Sequence, residues 1–145
     1  MSKEFLDYTG ALELKELGFD EPCFGYYVDG ELRGVNLGVE QLGGIEPYYQ
    51  RFGFHTLSNH NIDNTTKIVV TAPTFSQAFR FFREKYNLIC RVDVTSYGCS
   101  LNEQEFYCEI TSKNGTASYE IFNTYEESEL DCLKKLIEIV EQKKK

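Results

Sequence analysis

Apolar and polar positions alternate with period two in three stretches of the second half of the chain. Cys90, Val92 and Val94 oppose Arg91, Asp93 and Thr95; Phe106, Cys108 and Ile110 oppose Glu105, Tyr107 and Glu109; Tyr119 and Ile121 oppose Ser118, Glu120 and Phe122. This alternation predicts an antiparallel sheet with one face buried and one wet. Helical spacing brackets it. Phe75, Ala78, Phe79, Phe82 and Tyr86 form one stripe, and Leu130, Leu133, Ile137 and Val140, widened by Leu136, form another. Each stripe follows a capping-box pair, Thr74 with Gln77 and Thr124 with Glu127. Glu126, Glu127 and Glu129 open the last helix and Lys143–Lys145 follow its end, the signs its dipole prefers. The turn between the last two strands is predicted at Asn114-Gly115.

The first half is less regular. Thr9 is the predicted cap of a short helix through Leu17, with Gly18 as terminator and Phe19 folded back over the last turn. Phe24 to Val35 reads as a hairpin around Asp29-Gly30, a pair suited to a two-residue turn with positive φ. Residues 36–66 form an irregular insert of glycines, asparagines and rings, with room for a short helix over Pro47 to Phe52. Lys67 to Thr71 is a brief strand-like run ended by Ala72-Pro73. The expected fold is α+β in one domain, residues 1–145, with one antiparallel sheet of three to five strands and helices on one face. Residues 1–35 supply a helix and hairpin, 36–66 the insert, and 67–145 the core.

Charge narrows the choice of partner. A net charge of −8 disfavours nucleic acid and anionic membrane. No apolar run approaches the roughly 18 residues of a membrane span, and the first residues have no apolar leader, so a soluble cytoplasmic protein is expected. The five cysteines show no CxxC spacing and their number is odd, which predicts buried thiols.

Two constellations stand out for binding. Arg80 and Arg83 are surface neighbours on a helix, with Lys85 and Arg91 nearby and only Glu84 opposing them between residues 74 and 91. Tyr48, Tyr49, Arg51, Phe52, Phe54 and His55 combine rings with cations in the insert, a set able to stack on a base and meet a phosphate. Tyr48, Tyr49, Arg51, His55, Arg80 and Arg83 are therefore the expected site for a small anionic ligand. The polar sheet face offers a second surface: Asp93, Glu105, Glu109 and Glu120 with Tyr107 and Phe122 as anchors for a basic protein partner. Catalytic chemistry finds little support. His55 and His60 lack paired ligand spacing, Cys99 has no evident base, and no glycine-rich phosphate loop is present. No cofactor or metal is expected, and self-association is left open.

Two resemblances bear on these readings. Ala11–Cys23, Ala72–Tyr86 and Thr124–Ile137 resemble small proteins of phages and prophages of Bacteroidetes-type bacteria, a family without assigned function; the insert falls outside the likeness. The likeness implies a phage accessory protein in a bacterial cytoplasm. The element order after Thr74 is similar to that of double-stranded-RNA-binding domains, which read shape through phosphates and 2′-hydroxyls. Their second helix opens with lysines; here that stretch is Glu126-Glu127-Ser128-Glu129, which would repel phosphate. The expected function is a non-enzymatic protein that sequesters a small nucleotide-like anion in counter-defence, or else masks a host protein through its acidic sheet face.

Overall fold

A computed structural model describes residues 4–34, 58–59, 69–95 and 104–144. The fold is α+β, with its described elements in the order predicted from the sequence: α1 (Tyr8–Glu16), β1 (Gly25–Val28), β2 (Glu31–Gly34), β3 (Val69–Ala72), α2 (Phe75–Tyr86), β4 (Ile89–Val94), β5 (Phe106–Ser112), β6 (Gly115–Phe122) and α3 (Tyr125–Lys144). The strands form two separate antiparallel three-stranded sheets, ordered β2-β1-β3 and β4-β5-β6, instead of joining in one. The chain divides into two compact units, Met1–Gln77 and Ala78–Lys145. The insert's predicted helix at Pro47 to Phe52 lies outside the described residues.

In the first unit, α1 starts earlier than expected. Asp7, not Thr9, is the cap: its carboxylate accepts from the Gly10 N–H at 2.8 Å. Asp caps at least as well as Thr, and it leaves Thr9 inside the first turn. The helix ends in a Schellman motif. Gly18, at φ +95°, donates to the Lys15 carbonyl and Phe19 donates to the Leu14 carbonyl, and Leu14 and Phe19 are both buried. The β1–β2 turn places Asp29 and Gly30 at positive φ, as the dipeptide predicts. β3 pairs with the other side of β1, Tyr27 opposite Val70. Ala11, Tyr27, Val70 and Ala72 are buried together, with Phe5, Tyr8, Leu12 and Leu32 packed around them. The Tyr27 hydroxyl donates to the Leu6 carbonyl at 2.6 Å, and its ring meets Tyr8 edge to face. Asn59 ties the layers: its Nδ2 donates to the Phe19 carbonyl and its Oδ1 accepts from the Thr71 N–H.

α2 opens with the predicted capping box. The Thr74 N–H donates to Gln77 Oε1 and the Gln77 N–H donates to Thr74 Oγ1. Asn87, at φ +57°, ends it. In the second unit, α3 lies across all three strands. The Glu127 N–H donates to Thr124 Oγ1 at its start. Leu133, Leu136, Ile137 and Val140 are buried, as their spacing predicts. The β5–β6 turn falls one residue earlier than Asn114-Gly115 suggests. Lys113 and Asn114 form the loop, and Gly115, at φ +122° opposite Ser112, takes the conformation only glycine adopts freely.

Candidate functional site

The β4-β5-β6 sheet turns one face to α3, and no other described element of its unit covers the opposite face. Directly opposed residues share a face, so the register defines the uncovered rows. Ile89, Thr111 and Thr116 form one; Arg91, Glu109 and Ser118 the next; Asp93, Tyr107 and Ile121 a third. Glu105 lies just beyond, where its carbonyl accepts from the Thr95 N–H. In the second row the Arg91 guanidinium grips Glu109 through Nε at 2.9 Å and Nη2 at 2.7 Å, and Ser118 Oγ donates to the same carboxylate. Thr111 and Thr116 share a hydroxyl hydrogen bond at 2.9 Å. The charged row is thus held by its own fork and is flanked by exposed aliphatics, Ile89 (50% exposed) on one side and Ile121 (58%) on the other.

Two expected members leave this face. The register shifts between Tyr107 and Glu109, where a β-bulge adds a residue to β6. A bulge reverses the facing of everything beyond it. Phe122 therefore opposes Phe106, whose ring meets Tyr125 of α3 edge to face at 5.9 Å. Glu120 acts on Asp131 of α3, and Tyr119 lies under the Lys135 ammonium at 5.8 Å. Ile121, assigned from alternation to the buried face with Tyr119, is the residue the bulge exposes. Asp93, Tyr107 and Glu109 keep their expected face. No local composition signals a bulge, so only the ladder identifies Ile121.

The covered side carries the sulfur chemistry. Cys90 of β4 and Cys132 of α3 are joined in a disulfide, which corrects the expectation of five thiols. They are 42 residues apart in sequence and meet only through the packing of α3 on β4. Cys23 and Cys108 are the buried free thiols, as expected. Burial pushes Cys23 up to about 12, more than the side-chain hydrogen bonds of Thr71 and Gln77 offset; it pushes Cys108 up to about 11, helped by the Asp131 carboxylate. Both therefore remain protonated and unreactive at neutral pH. Cys99 lies outside the described residues.

On α3, burial raises the Glu129 and Asp131 carboxyls, with Glu126 adding to the first; Lys135 opposes the rise at Asp131. A cleft of about 350 Å³ lies where the end of α3 meets the β5–β6 hairpin, with Leu88, Ile110 and Ala117 among its walls and Asn114 and Lys143 among its polar lining.

Of the expected anion site, Arg80 and Arg83 are described, both exposed on α2; Lys85 on the same helix reaches over the Phe81 and Tyr86 rings. Tyr48, Tyr49, Arg51, Phe52, Phe54, His55 and His60 lie outside the described residues. Among the described residues no group of three or more His, Cys, Asp or Glu is arranged to hold a metal ion, and no helix is long and apolar enough to cross a membrane. Comparison of the chain with protein-family models, curated proteins and solved structures finds no match.

Proposed function

We propose that the chain is a non-enzymatic protein-binding module whose uncovered β4-β5-β6 face docks on an apolar patch with a basic rim. One observation carries the reading. Ile89 and Ile121 stand half exposed or more on a paired sheet, with Tyr107 beside Ile121 and the Arg91–Glu109 ion pair between the two ends. Exposed aliphatic and aromatic anchors around a satisfied polar centre suit a protein interface, because they lose water without stranding a charge. Arg91 is shared between Glu109 at 2.7 Å and Asp93 at 4.0 Å, one cation for two carboxylates, and Glu105 lies beyond them, so the edge stays net acidic and favours a basic rim. Cys23 and Cys108, buried and held protonated, are not candidate nucleophiles. The phage resemblance would make the partner a host protein, masked by binding.

The test is affinity capture from a bacterial lysate with wild type, Ile121→Lys and an Arg80→Glu/Arg83→Glu double variant in parallel. A stoichiometric protein retained by wild type and the double variant but lost by Ile121→Lys supports the reading. Equal retention by Ile121→Lys, or a thermal shift with nucleotides that only the arginine double variant abolishes, overturns it in favour of anion binding.

A further inference from the structure

We propose that Cys90 and Cys132 form a reversible dithiol–disulfide couple, a redox modification site that staples α3 to the edge strand β4 when oxidised. The two residues belong to one unit and meet across its core, and their bond closes a loop containing β5 and β6. Their surroundings are asymmetric. Cys132 is fully buried, whereas Cys90 sits half-buried on β4, which among the described strands pairs with β5 alone. Reagents in solution therefore reach Cys90 first. Cys108 occupies the same face, opposite Val92 on the neighbouring strand, but the packing of α3 on β4 sets Cys132 against the Cys90 sulfur, so exchange closes the Cys90–Cys132 bond.

The partner reagent is a small-molecule disulfide. The Cys90 thiol releases its proton to solvent, and its sulfur attacks one sulfur of that disulfide; the small S–S bond breaks and one small thiolate leaves, taking up a proton. Cys132, deprotonated in turn, attacks the Cys90 sulfur; the mixed disulfide breaks and the second small thiol departs. Two protein thiols are oxidised to one disulfide, and one small disulfide is reduced to two thiols. Excess small thiol drives the same steps backwards. Reduction leaves α3 held by Leu133, Leu136, Ile137 and Val140, so the couple changes the grip on the helix and not the fold.

The whole chain is equilibrated in glutathione buffers from fully reduced to fully oxidised, its thiols are trapped by alkylation, and the peptides are mapped. The expected result is a single transition in which the Cys90 and Cys132 peptides pass together from alkylated to linked, while the Cys108 and Cys23 peptides stay unlinked. Reduced wild type should keep its circular dichroism and melt lower than the oxidised form, at the temperature of Cys90→Ser. Alkylation of both cysteines in every buffer overturns the proposal, as does linkage of Cys132 to Cys108 or a bond that excess glutathione leaves intact. The wild-type mapping decides the matter even if Cys90→Ser does not fold.

Discussion

The two sheets have the same strand count and the same antiparallel pairing, yet they occupy opposite environments. β1 and β3 are buried along their whole length. β6 is exposed at most of its positions, and β4 alternates along much of its length. In sequence β1 and β3 read as short runs without alternation, because neither side of either strand meets water. The second shows period two, because α3 takes one face and water the other. Burial on both faces makes a sheet a core element; burial on one face leaves a surface free to recognise something.

The same substitution placed in each sheet should break this contrast most clearly. Val70→Lys puts an unpaired charge among Ala11, Tyr27 and Ala72 and should cost more than about 4 kcal/mol, enough to unfold the chain in chemical denaturation. Ile121→Lys, on the open face, should change stability by less than about 0.5 kcal/mol in the same assay.

Asn59→Ala removes two hydrogen bonds at once and leaves the Thr71 N–H without its partner; a loss of about 2 kcal/mol is expected from denaturant midpoints. Thr124→Ala deletes the cap of α3, on the half-open side of the comparison, and should cost about 1 kcal/mol.

The smallest effect is on pH dependence. Glu129 and Asp131 have folded pKa values raised above their unfolded ones, so the folded state holds more protons between the two. Their ionisation opposes folding: stability from these groups should rise as pH falls through the folded values and level off below the unfolded ones. Asp131→Asn should flatten that rise and slightly stabilise the protein at neutral pH. Melting temperatures measured from pH 7 to pH 4 would check both the sign and the flattening.

Legibility in sequence followed the same division. Cap and turn chemistry is local, so Thr74 with Gln77, Thr124 and the Asp29-Gly30 turn could be placed from their neighbours alone. Asp7 and Thr9 are both good caps within one turn, so local chemistry does not choose between them. The pairing of β3 with β1 depends on contacts more than 40 residues apart, and a strand buried on both faces has no alternation to reveal its partner. At the candidate face, alternation placed Asp93, Tyr107 and Glu109 correctly because β4 and β5 pair without interruption. It misplaced Glu120, Ile121 and Phe122 because one extra residue in β6 inverts the strand beyond it. The Cys90–Cys132 pair was half legible: Cys90 falls on the apolar row of β4 and buried cysteines were expected, but nothing local says which of them meet.

On the proposed reading, Ile121, the residue exposed by the bulge, anchors a partner to the open face of the second sheet. Titration calorimetry of a captured partner against wild type and Ile121→Lys tests it most directly. At least about a tenfold loss of affinity is expected, roughly 1.4 kcal/mol, with an unchanged melting temperature. Equal affinity for the two proteins would contradict it.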